Sequence, residues 1–394
     1  MENLKERAVT FISTYPPLEC GVGIFAYDLI DALEEFDTSN NSETNNIQVV
    51  ALDDKDRNLA YDEKVVFKID KENLEDYYKA ADFINESQSD VICLQHEYGM
   101  FGGENGNYLL SLLSGIKKPI VTTLHTIQEG PTKDRKNILK KVCGFSGNVV
   151  TISKRGKKLL TEVYNVLPAK IKIIPHGTPD VSFSDTSFYK KYLHAENRPV
   201  ILSFGLIRLS KGLEIAIEAM SEVVRKVPEA LYIILGATHP SVKKEKGESY
   251  RVILERLVRE RNLEKNVIFR NEFVSKVELV KYLKGSDICI TPYLSGDQIS
   301  SGVLSYALAC GKAIVSTPYL YAKELLAGNR GILIPFKDSH SLARELIELI
   351  ENDEKREGMR KAAYSFGRNM TWQKVAASYK YLFNTIFSEV GSRL

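Results

Sequence analysis

Short apolar runs alternate with amphipathic stretches along the whole chain. The first half contains six runs rich in β-branched residues, at Ala8–Ile12, Ile47–Leu52, Asp90–Gln95, Pro119–Leu124, Asn148–Ile152 and Ile171–Pro175. The second half contains six more, at Pro199–Phe204, Leu231–Leu235, Asn266–Phe269, Asp287–Thr291, Ala313–Ser316 and Gly331–Pro335. Helical periodicity separates most of them, as in Leu213–Lys226 and Ser341–Ile350. Alternating strands and helices favour parallel sheets covered by helices on both faces. The pattern predicts an α/β protein with two doubly wound, Rossmann-like lobes.

Segments without periodicity suggest how the chain is divided. Residues 175–198 show neither a helical nor a strand period, and we interpret them as a linker between lobes of roughly 180 residues each. The predicted domains are residues 1–180, residues 199–370 and a last helical segment, 371–394. The polar segment Asp37–Asn46 is interpreted as a flexible surface loop.

Composition narrows the class of protein. The formal net charge is +2 and the pI about 8.1, which argues against nucleic acid as the main partner. No apolar run approaches the roughly 18 residues of a membrane span, and the N-terminal residues lack the apolar stretch of a signal peptide. Five cysteines without a C-x-x-C pair indicate reduced, mostly buried thiols. We therefore predict a soluble, cytoplasmic protein.

Glycine-rich or polar loops follow six of the predicted strands. In chain order they read STYPPLECGVG, HEYGMFGGENG, HTIQEGP, GLIRLSKG, GATHP and PYLSGDQISSG. In open α/β sheets, ligands bind at the carboxyl ends of the strands. Loops of this kind in both lobes predict two facing site edges across a cleft.

The loop Gly205–Gly212 carries Arg208 and Lys211 directly before a predicted helix. Free N–H groups at a helix start favour an anion, and two cations there can neutralise a diphosphate and stabilise a departing one. The alternative is a surface pair of cations at a turn. We favour phosphate binding because both cations lie on the strand-to-helix loop itself.

A second loop favourable to anions contains Ser300, Ser301 and Gly302 before a helix at Val303–Cys310. Small residues allow backbone N–H groups to approach a ligand, although simple N-capping by serine explains the same residues. Gly21 and Gly23 precede a helix at Ile24–Phe36, where tight strand–helix packing is an equal explanation.

Three histidines lie near strand ends or the linker. His125 follows a buried strand, and a lone histidine there is more often structural than functional. His96 and Glu97 form a similar strand-end pair, and His176 lies at the predicted linker, where a hinge role and ligand contact are both open.

A run of basic residues is the last unusual feature. Its members are Lys133, Arg135, Lys136, Lys140, Lys141, Lys154, Arg155, Lys157 and Lys158. We favour a solvated helical face, with an anionic acceptor or a membrane surface as the alternative. A P-loop, H-E-x-x-H, G-x-S-x-G and the dinucleotide G-x-G-x-x-G are all missing from the sequence. Nothing therefore argues directly for a kinase, zinc hydrolase, serine esterase or dehydrogenase.

In order, the motifs are PP-x-x-C-G-x-G, QHEYG-x-FGG, T-x-HT, TIS, IPHG, FG-x-IR-x-x-KG, SSGVLSYALACGKAIVSTP and GILIPF. Across essentially the whole chain this resembles a family 4 glycosyltransferase of the retaining GT-B class. The resemblance implies transfer of a hexose from a nucleoside-diphosphate sugar, bound by the C-terminal lobe, to a carbohydrate or other hydroxyl acceptor on the N-terminal lobe. It implies no bound metal or other cofactor, and it implies that the last helix, with Trp372, crosses back onto the N-terminal lobe.

The resemblance also implies roles for individual residues. Arg208 and Lys211 match the cations that bind the diphosphate, and His125 matches the histidine that faces the donor sugar. Gly21 and Gly23 match the glycine loop near the donor phosphate. The remaining assignments are donor binding by Gly205, Gly236, Asp297, Ser300, Ser301, Gly302 and Tyr306, and acceptor binding by His96, Glu97 and Tyr98.

One departure from the family concerns its Glu-x7-Glu motif. Alignment on Ala307–Gly311 places Gln298 and Tyr306 at the two glutamate positions. Gln298, which we group with the catalytic residues, still forms hydrogen bonds but carries no charge. Tyr306 cannot accept two ribose hydroxyl protons as a carboxylate does, and Asp297 is a partial substitute one residue away.

Two other functions stay open. A GT-B glycoside phosphorylase would use the same cations for orthophosphate, although no pyridoxal phosphate motif is found. A non-catalytic protein that binds sugar or nucleotide is favoured by the missing glutamates and disfavoured by His125, Arg208 and Lys211. Neither the sugar, the base nor the acceptor is specified by the sequence.

Overall fold

The computed structural model describes residues 7–39, 46–54 and 59–391. These residues form two compact units. The first contains the described residues up to Gly177 together with the helix Trp372–Gly391, and the second is the continuous segment Thr178–Thr371. Each unit is built on one parallel sheet with helices on both faces.

The first unit has seven strands in the order β3-β2-β1-β4-β5-β6-β7. They are β1 (Ala8–Ser13), β2 (Asn46–Asp53), β3 (Val65–Asp70), β4 (Val91–His96), β5 (Ile120–Leu124), β6 (Asn148–Thr151) and β7 (Ile171–Ile173). Its helices are α1 (Gly21–Ser39), α2 (Leu74–Glu86), α3 (Tyr108–Gly115), α4 (Lys133–Phe145), α5 (Lys154–Glu162) and α15 (Trp372–Gly391). The central strands β1, β4 and β5 are buried along their whole length, as expected for a sheet covered on both faces.

The second unit has six strands in the order β10-β9-β8-β11-β12-β13. They are β8 (Val200–Phe204), β9 (Leu231–Leu235), β10 (Val267–Arg270), β11 (Ile288–Thr291), β12 (Ala313–Ser316) and β13 (Ile332–Leu333). Its helices are α6 (Ser187–Tyr192), α7 (Leu213–Lys226), α8 (Pro240–Lys246), α9 (Ser249–Glu260), α10 (Lys276–Gly285), α11 (Gly302–Ala309), α12 (Leu320–Leu325), α13 (Ser339–Glu351) and α14 (Asp353–Gly367). The prediction of two Rossmann-like parallel-sheet domains is confirmed.

One strand, β3, is missing from the prediction. It pairs with β2 at the edge of the sheet, and only one of its six residues, Ile69, is fully buried. Because an edge strand contacts the core on one side only, its sequence VVFKID lacks the continuous apolar run by which the other strands are recognised.

The interpretation of Asp37–Asn46 as a surface loop is wrong at both ends of the segment. Helix α1 continues to Ser39, and Asn46 already belongs to β2, while residues 40–45 lie outside the described part of the chain. Asp37 is 1% exposed and forms an ion pair with Lys380 of α15, at 2.7 Å between Oδ1 and Nζ. The polar start of this segment therefore joins two helices.

Residues 178–198, interpreted as a linker, belong to the second unit. They contain the short helix α6, whose Lys190 forms an ion pair of 2.8 Å with the mostly buried carboxylate of Asp287. The Thr186 hydroxyl donates to the same carboxylate at 3.2 Å. This segment therefore packs as part of a folded unit.

Helix α15 completes the core of the first unit. Trp372, Val375, Tyr379 and Phe383, at helical spacing, are all buried in the cluster that also contains α1. The Tyr379 hydroxyl lies 2.8 Å from Thr123 Oγ1 on β5. The end of the described chain is thus tied to the middle of the first sheet.

The five cysteines are free, as predicted, and four of them are buried. Among the residues that the structure describes, no helix combines the length and apolar character needed to cross a membrane.

Candidate active site

In the second unit, strands β8 and β9 are each followed directly by a glycine. Gly205 has φ 103° and Gly236 has φ 150°, and a Cβ atom on Gly236 would lie 2.2 Å from the Gly205 carbonyl oxygen. The following loops then pair in parallel. The N–H of Ile207 donates to the Ala237 carbonyl at 2.8 Å, and the N–H of His239 donates to the Ile207 carbonyl at 3.0 Å. This pairing places Arg208 and His239 at the same edge.

The turn that carries Arg208 and Lys211 is held in place by contacts with the loop after β11. Lys211 ends a 3-10 turn, and Gly212 adopts φ 61° before α7 begins. A Cβ atom on Gly212 would lie 2.2 Å from the Pro292 carbonyl oxygen. The N–H of Leu294 donates to the Ser210 carbonyl at 3.0 Å, so the loop after β11 fixes the turn.

Lys211 is the best-defined side chain of this edge. Its ammonium donates to the Tyr293 hydroxyl at 2.7 Å, and the Tyr293 ring stacks on Tyr319 with 5.2 Å between centroids. Burial, followed by the nearby charge of Arg208, lowers the pKa of Lys211 to about 7. Among the described residues, neither Arg208 nor Lys211 has a carboxylate within ion-pair distance. Both cations therefore remain available to an anion.

A cavity of about 10 Å³ has Lys211, Ser203, Gly205 and Tyr293 among the residues that line it. This volume suits a single water molecule. A larger anion would therefore lie on the open side of the loops, where Arg208 is exposed.

Helix α11 starts beside the loop after β11. The Ser301 hydroxyl accepts from the Leu304 N–H at 3.2 Å, which confirms the N-cap that the sequence allowed. Ser300 and Gly302 are partly exposed next to it. The first N–H groups of a helix lack acceptors within the helix, so α11 presents its positive end at this edge.

The two positions that differ from the family motif are in distinct environments. The Gln298 side-chain amide donates to the Ser300 carbonyl at 2.8 Å, and the Gln298 backbone carbonyl accepts from the Tyr321 N–H at 3.0 Å. Asp297 is exposed, whereas Tyr306 lies within α11 and is 7% exposed. The structure thus brings Gln298 and Asp297 to the start of α11 and buries Tyr306.

In the first unit, His125 is buried directly after β5. Its Nε2 lies 2.9 Å from Gln95 Oε1, and Phe25 packs edge-on with 4.8 Å between ring centroids. Burial, followed by the neighbouring His176 and His96, lowers the pKa of His125 to about 3. The same Phe25 ring contacts His176 at 5.1 Å, and burial lowers the pKa of His176 as well. His125 is therefore a neutral imidazole at pH 7.

The three residues assigned to the acceptor differ in exposure. His96 is 1% exposed and packs against the rings of Tyr98 and Phe101, and burial lowers its pKa to about 4. Tyr98 is also buried. Glu97 is partly exposed, and its carboxylate accepts from the Tyr98 N–H at 3.0 Å and from the Thr126 hydroxyl at 2.6 Å. Glu97 is the most accessible of the three.

The two glycines before the body of α1 are not equivalent. A Cβ atom on Gly23 would lie 3.1 Å from the Thr14 carbonyl oxygen, so tight strand–helix packing explains this glycine. A Cβ atom on Gly21 would meet nothing within 4 Å. Packing within the first unit therefore does not explain Gly21.

The basic run lies on α4 and α5. Arg155 pairs with Glu129, Lys158 lies 3.8 Å from Glu162, and Arg135 donates to Asn105 at 3.0 Å. The five lysines Lys133, Lys136, Lys140, Lys141 and Lys157 are exposed or partly exposed. These contacts agree with a mostly solvated face.

Sequence reasoning missed His239 and Tyr293 at the second edge. Both lie in loops that follow buried strands, GATHP and PYLSG, and this position in the sequence is what could have identified them as site residues. Their partners, the Ile207 carbonyl and the Lys211 ammonium, come from the loop after β8, so these contacts cannot be read from the local sequence. Among the described residues, no group of three or more His, Cys, Asp or Glu side chains is placed to hold a metal ion.

Two Rossmann-like units with loops of this kind define a GT-B protein. The family model "Glycosyltransferase Family 4" matches residues 21–180, and "Glycosyl transferases group 1" matches residues 184–366. Together the two models match most of the chain, which belongs to the family 4 type of glycosyltransferases.

Similar proteins agree with this placement. An uncharacterized glycosyltransferase of Methanocaldococcus jannaschii is 29% identical over 64% of this chain and 62% of its own. Phosphatidyl-myo-inositol mannosyltransferase of Mycolicibacterium smegmatis is 24% identical over 54% of this chain and 51% of its own. The chain thus matches less than two thirds of the length of each of these relatives.

Solved structures show the same fold. HepE of Anabaena, in complex with UDP and glucose, has a TM-score of 0.73 at 15% identity and covers 96% of this chain and 100% of its own. Sucrose-phosphate synthase of Thermosynechococcus elongatus has a TM-score of 0.77 at 16% identity, and the match covers 98% of this chain and 100% of its own.

Proposed function

We propose that the protein is a retaining glycosyltransferase that moves a hexose from a nucleoside-diphosphate sugar to a hydroxyl acceptor. The observation that carries the proposal is the pair Arg208 and Lys211, which lack carboxylate partners among the described residues and lie beside the glycines that follow β8 and β9. Donor phosphates would replace the missing anions. The solved structures of HepE with UDP support a nucleotide donor.

The chemistry assigns each cation a task. When the bond between the sugar carbon and the donor phosphate breaks, negative charge grows on the departing diphosphate, and fixed cations stabilise it more in the transition state than before. Arg208 can bind two phosphate oxygens at once, whereas Lys211 acts as a point charge held by Tyr293. The positive start of α11, at Ser300–Gly302, adds to the same field. We therefore expect no requirement for a metal or another cofactor.

His125 and Gln298 are proposed to contact the donor sugar. A neutral imidazole can hydrogen-bond to a sugar hydroxyl without repelling the positive charge that develops on the ring, and the low pKa of His125 keeps it neutral. Gln298 supplies amide groups at the start of α11. Gly21, whose Cβ position is open, would allow the backbone to approach the donor phosphate.

The acceptor is proposed to bind the first unit near Glu97, the most accessible of the three residues assigned to it. The relative named phosphatidyl-myo-inositol mannosyltransferase is a reason to include inositol in an acceptor panel. The five free cysteines fit a reducing compartment, and we propose the cytoplasm as the location.

A donor screen tests the proposal. Purified protein is incubated with UDP-, GDP- and ADP-linked glucose and mannose, with and without sugar and polyol acceptors, and the released nucleoside diphosphate is measured. We expect release from one donor, loss of release in Lys211→Ala, and normal release in Lys244→Ala, an exposed lysine of α8. Equal activity of Lys211→Ala and the wild type would contradict the site.

One observation favours a second candidate, a GT-B phosphorylase. Tyr306 replaces the carboxylate expected to hold a ribose and is mostly buried, which would suit orthophosphate better than a nucleotide. Cleavage of a glycoside that depends on added phosphate, together with no use of any nucleotide sugar, would support this candidate.

A further inference from the structure

His239 is fixed beside the two cations by the backbone. Its N–H donates to the carbonyl of Ile207 at 3.0 Å, and the next residue after Ile207 is Arg208. Burial, followed by the charges of Arg208 and Lys211, lowers the pKa of His239. The imidazole therefore lies in the same electrostatic environment as the cation pair.

The hydrogen bonds of the ring define which nitrogen carries the proton. Nδ1 accepts from the Ser241 N–H at 3.3 Å and lies 2.8 Å from the Ser241 hydroxyl, so it caps the start of α8. Because a backbone N–H can only donate, Nδ1 must be unprotonated and Nε2 must carry the hydrogen in the neutral ring. Within the described residues, Nε2 has no hydrogen-bond partner. One donor at this edge is therefore left for a ligand.

The loop that contains His239 is held in place by hydrogen bonds to Glu248 and Arg251. The Thr238 hydroxyl donates to the Glu248 carboxylate, and Arg251, which is mostly buried, pairs with the same carboxylate at 3.1 Å. Arg251 also donates to the Gly236 carbonyl at 3.2 Å. Gly236 and Thr238 are thus tied to residues at the start of α9, and the imidazole is held in place before any ligand arrives.

We propose that the Nε2–H of His239 donates a hydrogen bond to a phosphate oxygen of the nucleoside diphosphate, as a third member of the site formed by Arg208 and Lys211. This inference rests on the proposed function, since it names one more residue of the same donor site. A neutral donor adds a directed hydrogen bond without a third positive charge beside the two cations. His239 is then a binding residue for the leaving group as well as a helix cap.

Two substitutions separate these roles. His239→Asn places an amide oxygen near the position of Nδ1 and keeps the cap, since Asn is a preferred N-cap residue, but it removes the donor at Nε2. His239→Gln places an amide N–H near the position of Nε2 and keeps the donor. His340→Asn, on an exposed histidine of α13, is the matched control.

The measurement is calorimetric binding of UDP, GDP and ADP to the wild type and the three variants, with a thermal unfolding scan of each. We expect His239→Asn to unfold as the wild type does and to bind the preferred nucleoside diphosphate about 10-fold more weakly, as for loss of a hydrogen bond to a charged group. His239→Gln should stay within about threefold of the wild type, which is less than a single hydrogen bond contributes, and His340→Asn should be unchanged.

Three outcomes would overturn the inference. Equal affinity of the wild type and His239→Asn would show that the ring is only a cap. Equal weakening by Asn and Gln in folded variants would show that no donor at Nε2 is used. If the wild type binds none of the three nucleotides, the proposed function fails as well, and this last outcome is thereby distinguished from the other two.

Discussion

In the first unit, three histidines lie at or just after the carboxyl ends of β4, β5 and β7 and are packed against aromatic rings. In the second unit, the loops after β8 and β11 leave Arg208 and Lys211 without carboxylates among the described residues. Both edges are built on parallel strands followed by helices, so the strand plan alone does not set their chemistry. The difference arises from residue type and burial together: burial keeps the imidazoles of the first edge neutral, whereas Arg208 at the second edge is exposed and charged.

The largest expected effect is a different response of the two units to acid. The pKa of His125 is lowered to about 3 and that of His96 to about 4. Below pH 6.5 the two imidazoles therefore bind protons in the unfolded chain but stay neutral in the folded first unit. The stability contributed by these neutral rings is full above pH 6.5 and is lost as the pH falls, by about 1.4 kcal/mol per pH unit for each ring. In the second unit, Lys211 and Lys312 have pKa values lowered to about 7, which adds stability only as the pH rises above 7. Burial also lowers the pKa of His239, but this ring is partly exposed and adds a smaller loss in acid.

Hydrogen exchange read by mass spectrometry between pH 7 and pH 4.5, corrected for the intrinsic rate, measures this difference. Peptides from β4 and β5 should lose protection before peptides from β8 and β11. If peptides of both units lose protection at the same pH, the two units do not differ in their response to acid.

The second effect in size concerns the cation pair. Lys211→Ala should cost about 2–4 kcal/mol of transition-state stabilisation, measured as kcat/KM with the preferred donor, because it removes a fixed charge from the departing diphosphate. Its unfolding midpoint should fall only slightly, because the Tyr293 hydroxyl loses one hydrogen bond, about 0.5–1.5 kcal/mol, and no ion pair to a described residue is broken. A variant with normal kcat/KM, or one that fails to fold, would argue that Lys211 is structural.

A third prediction concerns the protonation of Lys211. The ammonium has a pKa of about 7 in the free protein, and a bound diphosphate raises it, so binding above pH 7 must take up a proton. Affinity should fall by up to about tenfold per pH unit above 7. Calorimetry at pH 8 in two buffers of different ionisation enthalpy measures the uptake. In Lys211→Arg the charge is permanent and the uptake from this residue should vanish; an unchanged uptake would locate the proton elsewhere.

The smallest expected effect distinguishes two glycines of the first unit. Gly21→Ala should change the free energy of unfolding by less than about 1 kcal/mol, because its Cβ meets nothing within 4 Å. Gly23→Ala should lower it by about 1–2 kcal/mol through contact with the Thr14 carbonyl. Reduced kcat/KM in a fully stable Gly21→Ala variant would support approach of the donor to this backbone, and normal kcat/KM would count against it.

The sequence was sufficient for features that depend on local pattern. Buried central strands are continuous apolar runs, and the predicted helix Leu213–Lys226 is observed with the same bounds. The edge strand Val65–Asp70 was missed because only one of its sides faces the core. The continuation of α1 to Ser39 was missed because the partner of Asp37 is Lys380, which lies on the last helix.

For the candidate site, the sequence indicated where chemistry would concentrate but not the state of each side chain. Gly205 and Gly236 stood out by their place at strand ends, and their positive φ angles accord with the need for glycine. The near-complete burial of His96 and the lowered pKa of Lys211 depend on packing from several strands. No local pattern in the sequence reports such packing.

The division of the first unit along the chain has a consequence for synthesis on the ribosome. Residues 178–371 emerge as one continuous segment and can fold as soon as they leave the exit tunnel, whereas the first unit waits for α15. Until then the apolar surface of α1 that will cover Trp372, Tyr379 and Phe383 stays open to other nascent chains and to chaperones. The unit made first is therefore the unit finished last.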